Sequence, residues 1–298
     1  MKLQEIDVII GVYNGEEYLA DMLDSIKSQK GVLVNLIVSD DGSLDSSVAI
    51  AKTYLNEFNS LVIMNGPRLG PAENFFSALK FSNSTYLAFA DQDDIWQDDH
   101  LVNSIGRLQN FESVPALTFC AVQEFKNNSS KVKKWPRKYP SLELSALITE
   151  NPARGCTMVM NNKARTIIRN SSPRNAIMHD WWSLFLIKLV GKVVYSDSQE
   201  VRYRIHKKSV TNDSRKFVNR LSRLHSSIKG TWPPELQLKS VLENIEIENL
   251  DSKSTKQIKL FTAMPKRSIL FYRKRLRMRL LDEIAIRFLL MIRKKNNE

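Results

Sequence analysis

Three aspartates in four residues, Asp91, Asp93 and Asp94, follow directly on the apolar run Tyr86-Leu87-Ala88-Phe89-Ala90. Carboxylates crowded at the mouth of a buried strand repel one another and are costly without a cation. A hard divalent ion with oxygen ligands resolves that conflict. Mg²⁺ in particular takes one or two protein carboxylates and completes its shell with water and substrate phosphates. The stretch Asp91-Gln92-Asp93-Asp94 therefore points to a metal that holds a nucleotide diphosphate; a solvated acidic loop is the alternative. A second acidic turn, Asp40-Asp41-Gly42-Ser43, follows the apolar run of residues 33–38. A further carboxylate, Asp180, stands before Trp181-Trp182, whose apolar bulk would raise its pKa.

These residues need elements to position them. Short apolar runs rich in β-branched residues at 7–12, 33–38, 61–64, 86–90 and 116–122 read as buried strands. Between them, Leu19, Met22, Leu23 and Ile26 recur at helical spacing, as do Leu101, Ile105 and Leu108. Helices are also expected over 48–55 and from Pro71 through Lys80, where the proline sits in the first turn. Strands alternating with helices predict a mostly parallel sheet with helices on both faces. In such sheets ligands bind outside the carboxyl ends of the strands. Tyr13, Asp40, Asp41, Asp91 and Asp93 all lie just past predicted strand ends, so three loops are expected to converge on one rim.

Further along, residues 126–138 are basic and polar and read as a mobile loop or insertion. A short helix is expected over 141–148, a strand over 156–160 and an apolar helix over 180–189. Two short strands follow at 192–195 and 201–203, and only helices from about residue 218.

Composition narrows the class. The chain has 298 residues and 43% hydrophobic content, enough for a real core. Its two cysteines, Cys120 and Cys156, make neither a disulfide framework nor a zinc site. No signal-peptide pattern and no run of 18 apolar residues is seen, so a reducing cytosol is the expected compartment. The net charge of +12 is divided sharply. Residues 1–120 carry 17 acidic and 7 basic residues, a net of −10; the remainder carries 15 acidic and 37 basic, a net of +22. The second part would attract something anionic: phosphates, a lipid surface or nucleic acid.

In order along the chain, five motifs resemble family 2 glycosyltransferases, which have the GT-A fold. They are Val12-Tyr13-Asn14-Gly15, Val38-Ser39-Asp40-Asp41-Gly42-Ser43-Leu44-Asp45, Asp91-Gln92-Asp93-Asp94-Ile95-Trp96, His179-Asp180-Trp181-Trp182 and Tyr203-Arg204-Ile205-His206. The match spans roughly residues 4–210. The third and fourth motifs together resemble a subgroup described as rhamnosyltransferases of bacterial O-antigen or capsule synthesis. The resemblance implies an α/β GT-A domain at 1–215, Rossmann-like, with a mixed, mostly parallel sheet flanked by helices. Its nucleotide-sugar half would be about 1–123 and its acceptor half about 124–215, followed by a helical basic extension at 216–298.

It also implies transfer of a sugar, with inversion, from a nucleotide diphosphate sugar to an acceptor hydroxyl. The best expectation for the donor is dTDP-rhamnose, with another UDP- or dTDP-sugar as the alternative. Val12, Tyr13, Asp40, Asp41, Asn74, Asp91 and Arg204 would line the donor. Tyr13 would stack on the base and Asp41 would accept from a base N–H. Asp93 would be the main ligand of Mg²⁺ or Mn²⁺, with Asp91 and His206 beside it. Asp94 would do no more than turn the loop. Asp180 would be the catalytic base, or cap its helix, or do both. Gly155, Trp181 and Trp182 would face the acceptor. Ser209 departs from the pattern, where many relatives carry asparagine.

Residues 266–295 hold eleven basic residues, and Ile269, Tyr272, Leu276, Leu280, Ile284, Phe288 and Met291 recur at steps of three or four. This predicts a basic amphipathic helix. It would lie on an anionic leaflet, placing the protein on the cytoplasmic face of the inner membrane beside a glycan or polyprenyl-diphosphate-linked acceptor. Otherwise it packs on the catalytic domain or on a second copy in a homodimer. The rival class, a basic nucleic-acid-binding protein, is supported by the pI near 9.6. The acidic first part and the lack of a nucleic-acid-binding signature argue against a nucleic-acid partner.

Overall fold

A computed structural model describes residues 3–127, 129–137, 139–171, 176–206 and 233–244, with residues 276, 277, 282–284, 286 and 287 of the tail. The predicted alternation is present. β1 (Gln4–Val12), α1 (Leu19–Lys27), β2 (Val32–Asp40), α2 (Ser47–Lys52), β3 (Ser60–Asn65), α3 (Pro71–Ala78) and β4 (Tyr86–Asp91) follow in order. β2, β3 and β4 each run parallel to their neighbour, in the order β3-β2-β1-β4. Side chains alternate between the faces: Ile9 packs into one core, Val8 and Ile10 into the other.

Beyond β4 the sheet becomes mixed. A two-residue strand β5 (Ile95–Trp96), α4 (His100–Leu108), β6 (Ala116–Lys126) and β7 (Ser129–Trp135) come next. Then follow α5 (Leu144–Leu147), β8 (Val159–Asn161), α6 (Asn162–Asn170), α7 (His179–Val190) and β9 (Lys192–Arg204). β8 is antiparallel to both β4 and β6, and β6 is parallel to β9. Hence β1, β2, β4, β6 and β9 all run the same way, and their carboxyl ends share one rim. α1, α2 and α4 cover one face of the sheet; α3, α5, α6, α7 and a later helix, α8 (Pro233–Asn244), cover the other.

Several expectations need correction. The basic stretch after residue 126 is no mobile loop: β7 pairs antiparallel with the end of β6, with a register shift between Glu124 and Lys126. Its lysines suit an edge strand, where charge discourages further pairing. The two short strands at 192–195 and 201–203 are one strand, β9. A register irregularity opposite Cys120 and Ala121 takes residues 197 and 198 out of the ladder, and this interrupts the apolar pattern. Residues 156 and 157 belong to a 3₁₀ turn, Gly155–Thr157, so the strand there is shorter than expected.

The single amphipathic helix expected over 266–295 is interrupted as well. Leu276 and Arg277 are not helical, and both their backbone N–H groups donate to Glu283 Oε2, at 2.7 and 2.6 Å. Leu276 and Ile286 are buried in the same core as α7, whereas Ile284 is exposed. The described part of the tail therefore packs on the catalytic domain. The remainder of the predicted membrane-facing side, Ile269, Tyr272, Leu280, Phe288 and Met291, lies outside the described residues, as does Ser209.

Candidate active site

Register builds the rim. Gly11 stands opposite Asp91, Val12 opposite Asp40, and Asp40 opposite Asn65, so the ends of four strands lie level. The loops leaving them are zipped together by hydrogen bonds. Asn14 N donates to Ser43 Oγ (2.9 Å), Leu44 N to Asn14 Oδ1 (2.8 Å) and Gly15 N to Ser47 Oγ (2.8 Å). Gln92, which sequence reasoning passed over, ties the metal-type loop to the first loop. Its Oε1 accepts from Tyr13 N at 2.9 Å and its Nε2 donates to Tyr13 O at 3.0 Å. Gly15 makes this possible, since a Cβ there would stand 2.3 Å from Gln92 Oε1. The Tyr13 ring is left 57% exposed on the rim.

The donor-side residues divide into two kinds. Tyr13 and Asp91 present side chains to the rim. The others act from beneath it. Val12 turns its side chain into the core, and its carbonyl accepts from Asp41 N. Asp40 accepts from the N–H groups of Gly42 and Ser43 and so shapes its own turn. Asp41 accepts from Arg68 N (2.7 Å) and Gly70 N (2.9 Å), fixing the loop between β3 and α3. Arg68 adopts a left-handed backbone there, with φ of 60°. Asn74, expected at the donor, is buried with both ends of its amide bonded to Ser39. It braces the end of β2 and does not face the rim.

At the metal-type loop, Asp93 Oδ2 lies 2.6 Å from His206 Nε2, joining the loop after β4 to the end of β9. The ligand atoms of Asp91, Asp94 and Cys156 lie within 4.8 Å of one another. Burial first, then the charges of Asp93 and Asp180, push the Asp91 carboxyl up to about 7. Asp94 does more than turn the loop. It is fully buried, its Oδ1 accepts from Arg204 N at 2.9 Å, and its Oδ2 has no hydrogen-bond partner. Burial, Asp93 and Asp91 together drive its carboxyl well above the usual range. Three carboxylates crowded at one strand end, beside an imidazole, are a donor set that fits Mg²⁺ or Mn²⁺. A second buried group, His100, Cys120 and Glu200, does not fit a cation: Arg107 takes both Glu200 oxygens at 2.8 Å and already supplies the positive charge.

Arg204 is also reassigned. It is buried, with its guanidinium donating to Asp93 O, Asn127 Oδ1 and Asp21 Oδ2 and lying over the Tyr18 and Phe125 rings. It carries the metal-type loop and does not offer its donors to a ligand.

Asp180 stands in the first turn of α7, partly exposed. Burial raises its carboxyl to about 6, against the opposing influence of Trp181 N–H, the Arg154 charge, the Gly155 backbone and the Asn151 side chain. Its Oδ1 accepts from Trp181 N at 2.6 Å within the first turn of α7, but the N-cap position is Met178, so Asp180 supports that turn and is not the helix cap expected; its charge acts on Asp91. Gly155 provides space for a neighbour: a Cβ there would meet His179 Nε2 at 2.7 Å. His179 is stacked on Phe75 at 3.8 Å, and burial holds its pKa down to about 3, so it is a neutral packing element.

Of the two tryptophans, Trp181 is partly exposed, with its indole donating to Leu147 O. Trp182 is 0% exposed and donates to Ser171 Oγ at 3.0 Å, so it belongs to the core and not to an acceptor face. Trp182→Ala is expected to cost about 3–5 kcal/mol of stability, measured by denaturant unfolding. Trp181→Ala should cost less than half as much.

Arg154 opens the Arg154-Gly155-Cys156 stretch that resembles the family's acceptor-side turn, but the sequence assigns a role there only to Gly155. Its guanidinium lies 4.3 Å from the Trp135 ring centroid and 4.7 Å from that of Tyr203, and 3.6 Å from Glu124. Held there, its charge opposes the upward shift of both Asp91 and Asp180. The β6–β7 hairpin that supplies Trp135 is thus part of the site.

The profile of Glycosyl transferase family 2 matches residues 7–166. The chain is 25% identical to the dTDP-rhamnosyl transferase RfbG of Shigella flexneri over 236 residues, covering 75% of this chain and 80% of that one. It is 25% identical to an uncharacterized glycosyltransferase of Haemophilus influenzae, covering 72% of this chain and 84% of the other. Among solved structures, TarS of S. aureus (residues 1–349, with UDP-GlcNAc) superposes with a TM-score of 0.58 at 16% identity, covering 97% of this chain and 89% of that one. The mannosyltransferase PcManGT of Pyrobaculum calidifontis, with GDP-Man and Mn²⁺, gives 0.57 at 14% identity, covering 96% and 84%. The fold is GT-A.

Proposed function

The chain belongs to glycosyl transferase family 2, and from that premise we propose that it is an inverting, divalent-cation-dependent transferase that moves rhamnose from dTDP-rhamnose. A different UDP- or dTDP-sugar used by the same machinery is the nearest alternative. The name of the Shigella flexneri relative supports the rhamnose reading. The acceptor is a glycan hydroxyl, on a polyprenyl-diphosphate-linked chain in bacterial surface polysaccharide synthesis, met at the cytoplasmic face of the inner membrane.

One observation carries the chemistry: the Gly155–Thr157 turn lies against both acidic elements, since a Cβ on Gly155 would stand 3.6 Å from Asp180 Cβ while the ligand atoms of the next residue, Cys156, and of Asp91 and Asp94 lie within 4.8 Å of one another. Two carboxylate functions of different environment thus face one space. Asp93 and His206, with Asp91 beside them, would hold the cation. When bound, the cation supplies positive charge that stabilises the leaving diphosphate. Tyr13 stacks on the base, and Asp41 keeps the base loop in place. Asp180 takes the proton of the acceptor hydroxyl as its oxygen bonds to the anomeric carbon. At the same moment the bond from that carbon to the phosphate oxygen breaks, and its electron pair leaves with the nucleotide diphosphate. Attack opposite the leaving group inverts the centre.

Only the ionised form of Asp180 can accept that proton. Its carboxyl titrates at about 6, so activity is full above that pH and falls about tenfold for each pH unit below it. The test is a panel of nucleotide sugars, each with Mg²⁺ or Mn²⁺, followed by nucleotide diphosphate release and by kcat/KM against pH. Release from dTDP-rhamnose well above the others, with an acid limb near 6, supports the reading. Preference for another donor removes rhamnose, and a flat profile between pH 5 and 7 removes Asp180 from the base role.

A further inference from the structure

Outside the donor rim the structure holds a second cleft of about 370 Å³. It opens between α1 and the tip of the β6–β7 hairpin, at the same carboxyl-terminal edge of the sheet. Ile95 and Phe125 line it, with Val132, Lys126, Asn127 and Ser129 from the hairpin and Arg202 from β9. The size is that of a site for an organic ligand.

Its charge is unbalanced. Arg204 at the rear is neutralised by Asp21 Oδ2 at 2.9 Å and is already occupied with the metal-type loop. Lys126 and Arg202 have no carboxylate partner among the described residues. Lys126 is exposed, and the Arg202 guanidinium is spread over the Phe125 ring at 4.6 Å, a placement that holds it facing the cleft. Two unpaired cations beside an amide and a hydroxyl, on exposed Asn127 and Ser129, make a set suited to phosphate oxygens. The remaining lining is apolar, and Val132 is 50% exposed among the described residues. Ile95 lies two residues past Asp93, so a ligand here adjoins the metal-type loop from the side away from Asp41.

We propose that this cleft is a second ligand site, which takes a phosphate group carrying an apolar chain. Within the function proposed above it would seat the anionic end of the acceptor carrier, and for that assignment alone it rests on that reading.

The test uses the full chain without divalent cation, which leaves the donor's diphosphate site unengaged. Calorimetric titration compares farnesyl diphosphate, farnesol and inorganic pyrophosphate on the wild type, on Lys126→Glu and on the double variant Lys126→Gln/Arg202→Gln. Lys126 is exposed, so its substitution leaves folding intact. The expected result is binding of farnesyl diphosphate, with the other two probes and both variants weaker by about tenfold or more. Metal-dependent donor hydrolysis should remain unchanged in Lys126→Glu. Equal affinity of wild type and variants for farnesyl diphosphate overturns the proposal, as does pyrophosphate binding as tightly as farnesyl diphosphate. Co-sedimentation with phosphatidylglycerol vesicles identifies the source. Parallel loss of vesicle binding in Lys126→Glu supports a bilayer lipid phosphate; loss of farnesyl diphosphate alone supports an isolated carrier. Donor hydrolysis by the same wild-type preparation reports separately on the transferase reading.

Discussion

Asp180→Asn is expected to lower kcat by about 10²–10⁴-fold while leaving donor affinity within a factor of two. The substitution keeps the shape and the ability of Oδ1 to accept from Trp181 N, so the first turn of α7 is undisturbed. What it removes is the basic oxygen. A carboxylate that only holds the Trp181 N–H would behave differently: asparagine would replace it, with turnover and melting temperature both near normal. Measuring kcat together with the melting temperature separates the two. If the asparagine variant turns over at wild-type rate, Asp180 only supports the first turn of α7, and another group must take the proton.

The second large effect is expected at Asp93. Asp93→Ala removes the carboxylate that bridges to His206 and stands between Asp91 and Asp94. Losing an outer-shell partner of a metal typically costs 10–100-fold in affinity, and a direct ligand should cost at least about as much. The gain in nucleotide diphosphate binding on adding Mn²⁺ should therefore vanish in this variant, whereas metal-free binding persists. His206→Ala should produce a smaller loss of the same kind. Full retention of the Mn²⁺ effect in Asp93→Ala would remove Asp93 from the cation site.

Much of this site is written in the chain where apolar runs meet polar turns. Val8 to Val12, Leu36 to Val38 and Phe89 to Ala90 are buried on both faces, so their runs are continuous and their ends sharp. Tyr13, Asp41 and Asp93 therefore fall just past the carboxyl ends of β1, β2 and β4, where the apolar runs stop. What stayed hidden depends on partners distant in sequence. Gln92 looks like a spacer within an acidic motif until its amide is seen clamping Tyr13, 79 residues away. Arg154 is one of 44 basic residues, and only the pairing of β6 with β7 brings Trp135 against it. Lysines alternating with apolar residues in β7 carry too little apolar signal to separate an edge strand from a loop. Trp181 and Trp182 are adjacent, and sequence alone does not reveal which of two neighbouring positions on a helix points inward. Asn74 and Arg204 are expected at the donor only through the family resemblance, which does not say whether a polar side chain faces a ligand or the protein. Here, as elsewhere in folded proteins, buried polar groups are satisfied first by the protein itself.

In the proposed reaction the rim formed by β1, β2, β4 and β9 grips a nucleotide diphosphate through a divalent cation. Thermal unfolding of the wild type with dTDP or UDP, with and without Mn²⁺, tests this most directly. Ligand at 100 times Kd adds about 2.7 kcal/mol of stability, so for a chain of 298 residues the melting temperature should rise by about 4 °C or more with nucleotide and Mn²⁺ together. Nucleotide without the metal should give much less. Equal stabilisation with and without Mn²⁺, or none from either nucleotide, would contradict it.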